Sequence, residues 1–128
     1  MASQQPVIAV DFDGTCVTHD YPYIGQDIGA VPVLRELADC GYRLILHTMR
    51  SGRLEKDAVE WFKQNGIPLF AVNNNPEQKE WTQSVKVFAD LYIDDAALGI
   101  PLKSSPTSTR PYVDWEATRE LLVKEGFL

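Results

Sequence analysis

The 128-residue chain has room for one domain, and 45% hydrophobic with 23% charged residues is the balance of a protein that buries its own core. A formal net charge of −6 argues against a nucleic-acid groove or an anionic membrane surface, both of which need a basic patch. The opening MASQQP is polar, with neither the basic nor the long apolar segment of an export signal or anchor. Cys16 and Cys40 suit a reducing compartment better than a disulfide framework, so the expected location is the cytoplasm.

The run at 6–10 (PVIAV) is short, apolar and β-branched, which predicts a buried strand; it ends abruptly in Asp11-Phe12-Asp13-Gly14-Thr15. Between positions 28 and 40, Val33, Leu34, Leu37 and Ala38 recur at helical spacing, with Pro32 suited to a first turn and Gly41 to a stop. A second apolar run at 42–47 predicts the next strand, closed by the polar Thr48-Met49-Arg50-Ser51-Gly52. Residues 53–65 place Leu54, Ala58, Trp61 and Phe62 on one helical face and stop at Asn65-Gly66.

A third strand is expected at 68–72, a helical turn at 77–82, and a fourth strand at 87–93 that runs into Asp94-Asp95. The Ser, Thr and Pro rich stretch 102–111 reads as an exposed loop, 112–115 as a fifth strand and 115–125 as a closing helix. Strands alternating with helices predict βαβ units on a mostly parallel sheet within a single domain over 1–128. Chemistry then belongs at the carboxyl ends of the strands.

Each polar cluster follows a predicted strand: Asp11, Asp13, Gly14 and Thr15 after the first, Thr48 after the second, Asp94 and Asp95 after the fourth. Carboxylates gathered on one sheet edge repel one another, so such a set persists with a cation or with raised pKa values. Hard oxygen donors without convergent thiolates favour Mg²⁺ over zinc.

Read together, Asp11-Phe12-Asp13-Gly14-Thr15, Thr48, Lys86 and Asp94-Asp95 resemble, in order and spacing, the four motifs of the haloacid dehalogenase (HAD) superfamily. Tyr21-Pro22, the segment from His47 to Arg50 and Val113-Asp114-Trp115 extend the likeness to small capless bacterial and phage HAD-like hydrolases. The resemblance implies a three-layer α/β/α Rossmann-like fold without a cap domain, and a Mg²⁺-dependent phosphohydrolase. It implies Asp11 as nucleophile and Asp13 as general acid/base. The metal would be held by Asp11, the carbonyl of Asp13, Asp94 and Asp95. The loop amides of Phe12 and Gly14, together with Thr48, Met49, Arg50 and Lys86, would hold the phosphoryl oxygens.

An isolated acidic pair at a strand end is more often a solvated turn, and the ordered set of motifs is what outweighs that reading. Lys79 competes with Lys86 for the third position, and Asp95 fits a ligand or a hydrogen-bond acceptor equally. His19 and His47 read as a loop residue and a packed strand-end residue, Cys16 as a small buried side chain, and Trp61, Phe62 and Trp115 as core. A dehalogenase is disfavoured because it needs neither Asp13 nor a divalent ion, and a receiver domain because the third strand ends in Asn73. The alternative from another class is a non-catalytic module that keeps the metal and phosphate pocket.

Neither gap that could hold a cap is long enough: residues 16–27 suffice for a flap, and 73–85 for less. The site is therefore expected to lie open, served by a phosphate displayed on something large or covered by a second subunit of a homo-oligomer. The flap edge Tyr21, Pro22, Tyr23 and Ile24 suits either.

Overall fold

Four parallel strands set the frame: β1 (Val7–Val10), β2 (Arg43–Leu46), β3 (Ala71–Val72) and β4 (Leu91–Ile93), in the spatial order β3-β2-β1-β4. The computed structural model describes residues 5–128; residues 1–4, which begin the segment read as free of an export signal, lie outside it. β1 sits between two neighbours and is buried along its whole length, which is why its sequence is a continuous apolar run rather than an alternating one. The chain leaves β1 for β2 on one side and later returns to β4 on the other, so a topological switch point lies at the carboxyl end of β1.

Three helices supply one layer: α1 (Ala30–Asp39), α2 (Gly52–Gln64) and α3 (Trp115–Lys124). Val33, Leu34 and Leu37 of α1, Ala58 and Phe62 of α2, and Trp115 and Leu122 of α3 form one cluster with Ile8, Val10, Leu44 and Leu46. At the end of α2 the Ile67 amide reaches back to the Phe62 carbonyl at 2.9 Å, with Gly66 at φ 70, so the helix stop read at Asn65-Gly66 holds. The sheet's other face presents Val7 and Ile45, covered by Val87 with Phe70, Ala71 and Ala89. The architecture is the expected three-layer, Rossmann-like α/β/α arrangement without a cap domain. Its second helical layer is reduced to one 3-10 turn at Gln78–Glu80.

The fourth strand is shorter than the apolar run at 87–93 because side chains take over the backbone ahead of it. Gln78 accepts from the Phe88 amide at 2.8 Å and donates to the Lys86 carbonyl at 3.0 Å, while Asn75 donates to the Phe88 carbonyl at 3.1 Å. The stretch read as an exposed loop contains a strand, β5 (Leu102–Lys103), which pairs antiparallel with β6 (Tyr112–Val113). The fifth strand expected at 112–115 thus exists but belongs to this separate hairpin. Two residues per strand are too few for periodicity to reveal them. Among the described residues, no helix is long and apolar enough to cross a membrane.

Phe62 is fully buried and packs against Phe12 and Trp61 with ring centroids 6.2 and 5.1 Å away. Phe62→Ala is expected to lower unfolding stability by about 3–5 kcal/mol, measured by urea denaturation.

Candidate functional site

The sheet register builds the site. Val10 lies level with Leu46 and with Ile93, so the residues that follow, Asp11, His47 and Asp94, emerge side by side. Two backbone bonds extend the ladder past the strands: the Asp11 amide donates to the Ile93 carbonyl at 2.9 Å, and the His47 amide to the Val10 carbonyl at 2.8 Å. Asp11, Asp94 and Asp95 each bring a carboxylate oxygen within 4.8 Å of the others. This compact set of hard, anionic oxygen donors fits one divalent cation of the Mg²⁺ class.

A buried hydroxyl orders the set. Thr15 donates to Asp11 Oδ2 at 2.8 Å and accepts from the Asp95 amide at 2.9 Å, so it joins the loop after β1 to the loop after β4. Its own carbonyl is held by Trp115 Nε1 at 2.6 Å, a contact spanning 100 positions of sequence. On the other side, His19 Nε2 lies 3.1 Å from Asp95 Oδ2. That imidazole occupies the space over Gly14, where an added Cβ would come within 2.0 Å of it, and Gly14 itself has φ 82. The expectation that the Gly14 amide holds phosphate is therefore corrected: it donates to the Val17 carbonyl at 2.8 Å, and the glycine's service is to make room for His19.

Arg50 requires the larger correction. Read as a phosphate ligand, it is only 2% exposed, and it grips both oxygens of Asp13 through Nε and Nη2 at 2.8 Å each. Its remaining donors reach the carbonyls of Pro22 at 3.2 Å, Tyr23 at 2.7 Å and Leu54 at 3.4 Å, while Phe12 and Tyr21 flank it with ring centroids 5.1 and 5.2 Å away. Pairing with Asp13 pushes the guanidinium further up from its already high value, so it remains a cation throughout the working pH range. Arg50 thus bolts the flap and the first turn of α2 to Asp13. The Asp13 carboxylate accordingly stands outside the Asp11, Asp94 and Asp95 cluster.

The other nominated residues divide. Thr48 stands where expected, lining with Asp11, Met49 and Asp94 a cleft of ≈330 Å³; its amide is held by Asn73 Oδ1 at 2.8 Å. An adjoining cleft of ≈610 Å³ is bounded by Asp11, Asp13, His19, Tyr21, Asp94, Asp95 and Arg110. Met49 is 98% exposed on the rim shared by both. The Phe12 side chain is fully buried in the core, leaving only its backbone at the loop, the part of the residue expected to face a ligand. Lys86 lines neither cleft: Val85 and Val87 on either side border the first one, whereas Lys86 borders a separate hollow with Trp81, Ser84, Phe88 and Tyr92. Lys79 lies at a third hollow, with Asn74 and Gln83, so neither lysine lines the two clefts at the acidic cluster.

Sequence reasoning left Thr15 without a role, took His19 for a loop residue and misassigned Arg50. The one signal available was the hydroxyl of Thr15 inside the same tight acidic loop. His47, by contrast, packs against the Tyr92 ring at 6.0 Å, as read.

Burial raises the Asp11 carboxyl to about 8, reinforced by the neighbouring Asp95 and Asp94 carboxyls and opposed by the Thr15 hydrogen bond. Burial likewise pushes the Cys16 thiol well up, which makes it the inert packing residue expected. The folded-state value of Asp11 lies above its unfolded value of 3.8, so its contribution to stability is complete at low pH and is lost as pH rises toward about 8. Metal-free protein should therefore melt at a lower temperature at about pH 8 than at about pH 5, and Mg²⁺ should raise the melting temperature more at the higher pH. Calorimetric scans with and without Mg²⁺ at the two values test this; an equal Mg²⁺ effect at both would contradict it.

No family model matches the chain, and no curated protein matches it. Among solved structures it is similar to a conserved protein coded by a locus from Bacteroides thetaiotaomicron, at 40% sequence identity and a TM-score of 0.75. The match covers 94% of this chain and 91% of the other. With that identity over nearly the full length of both, the chain belongs to the family of this conserved Bacteroides thetaiotaomicron protein.

Proposed function

We propose that the protein is a cytoplasmic, Mg²⁺-dependent phosphomonoesterase of the HAD type. The observation that carries the reading is the cluster of Asp11, Asp94 and Asp95, within 4.8 Å of one another at the switch point of a parallel sheet, with Thr48 beside it. The order of Asp11, Asp13, Thr48 and the Asp94-Asp95 pair along the chain supports it, and two free cysteines suit a reducing compartment.

In this reading Asp11 attacks phosphorus, a P–O bond forms to its carboxylate, and the bond from phosphorus to the ester oxygen breaks. Asp13 supplies the proton that the departing alkoxide takes up. Water then attacks the aspartyl-phosphate, Asp13 accepts the water's proton, and inorganic phosphate leaves with the Asp11 carboxylate restored. Asp13 lines the cleft with both oxygens oriented by Arg50, each keeping a lone pair for that exchange. Thr48, which lines one cleft with Asp11 and Asp94, would donate its hydroxyl to a phosphoryl oxygen. Mg²⁺, held by Asp11, Asp94 and Asp95, would neutralise charge on the carboxylates and the phosphoryl group. With the Asp11 carboxyl pushed up to about 8, a bound cation would also favour its ionised, nucleophilic form at neutral pH.

The second reading, a binding module without turnover, is favoured by one observation: the bidentate Arg50 pair engages both oxygens of the proton-transferring group. Hydrolysis of p-nitrophenyl phosphate separates the two. Wild-type protein with Mg²⁺ should turn it over, EDTA should abolish the rate and excess Mg²⁺ restore it. Asp11→Asn should retain the fold by circular dichroism and lose turnover. Mg²⁺-dependent phosphate binding with no hydrolysis by the wild type would establish the module instead.

A further inference from the structure

A substrate phosphate facing Asp11, Asp94 and Asp95 needs a basic side chain beside it, and the two expected there are placed otherwise: Lys86 borders another hollow and Arg50 is buried against Asp13. The cation that lines the ≈610 Å³ cleft with a free head group is Arg110. Among the described residues its guanidinium makes no hydrogen bond or ion pair, in contrast to Arg43, Arg50 and Arg119.

Its place is set from the acidic loop itself. Arg110 stands just ahead of β6, and the Val113 amide donates to the Gly14 carbonyl at 3.0 Å, while Trp115 Nε1 reaches the Thr15 carbonyl at 2.6 Å. The far limb is fixed by the pairing of Lys103 with Tyr112, and Ser108 Oγ holds the Arg110 carbonyl at 2.7 Å. Toward the tip, Thr107 Oγ1 donates to Gln26 Oε1 of the flap at 3.4 Å. The hairpin and the flap together wall the cleft, a small-scale counterpart of a cap.

We propose that Arg110 binds the phosphoryl group of the substrate, a phosphate monoester dianion, and that the β5–β6 hairpin is the substrate-binding wall of the cleft. This rests on the phosphohydrolase reading and deepens it. The guanidinium fork matches two phosphoryl oxygens and brings positive charge to a cleft otherwise dominated by carboxylates.

The test is titration calorimetry of inorganic phosphate into wild type, Arg110→Gln, Arg110→Lys and Lys86→Met, all saturated with Mg²⁺, alongside p-nitrophenyl phosphate kinetics. Arg110→Gln should weaken phosphate binding and raise KM by about tenfold, the loss of one charge-assisted contact. Arg110→Lys should recover part of this, and Lys86→Met should match wild type. Mg²⁺ affinity and melting temperature should be retained in Arg110→Gln, which separates a ligand contact from a structural role. Equal phosphate affinity in wild type and Arg110→Gln overturns the assignment and leaves the hydrolase reading standing, as does a loss confined to Lys86→Met. Phosphate binding that is lost in Arg110→Gln, in a wild type that hydrolyses nothing, supports Arg110 and removes the hydrolase reading. A wild type that binds no phosphate with Mg²⁺ overturns both.

Discussion

Three carboxylates held within 4.8 Å of one another are a standing source of repulsion, and much of the surrounding structure answers it. Two unit charges about 4 Å apart repel by roughly 4 kcal/mol at an effective dielectric of about 20, a substantial share of a small domain's stability. The chain meets this by local means: burial favours the protonated form of Asp11, the Thr15 hydroxyl donates to it, and the His19 imidazole sits on Asp95. The fourth carboxylate, Asp13, is removed from the cluster by a buried guanidinium. A divalent cation bound by Asp11, Asp94 and Asp95 would complete the compensation, since it would offset the same repulsion directly.

The elements legible in the sequence were those whose physics is local. Apolar runs ending at Val10, Leu46 and Ile93 located the sheet edge, because a strand buried on both faces has few other ways to be written. Gly66 and Gly41 marked helix ends by the positive φ they adopt. The site residues expected from sequence, Asp11, Thr48, Asp94 and Asp95, all lie within two positions of the end of such a strand.

What escaped depends on contacts distant in sequence. Arg50 follows Thr48 by two positions, and nothing nearby announces that Asp13, 37 positions away, takes up its fork. His19 becomes part of the site through Asp95, 76 positions on, and through the vacant side of Gly14. Lys86 lies away from the cleft for a geometric reason: the backbone before β4 is captured by Gln78 and Asn75, and in that conformation Val85 and Val87 border the cleft. The β5–β6 hairpin was hidden because four paired residues carry almost no pattern, and its Ser, Thr and Pro content is also that of an ordinary loop.

The absence of a cap domain shifts the burden of enclosure onto two short segments, and both hang from the same acidic loop. The flap is tied to Asp13 through Arg50, which spans to the carbonyls of Pro22 and Tyr23; the hairpin is tied to Gly14 and Thr15 through Val113 and Trp115. Gln26 and Thr107 then bring the two walls into contact with each other. In a protein with a separate cap, loop chemistry and substrate selection can vary independently; here a shift of the loop displaces both walls with it. The walls also leave the rim partly apolar and open, with Tyr21 and Met49 exposed around charged groups. A ligand confined to the cleft would leave such a rim wet, whereas one extending beyond it would cover those side chains and gain from their burial.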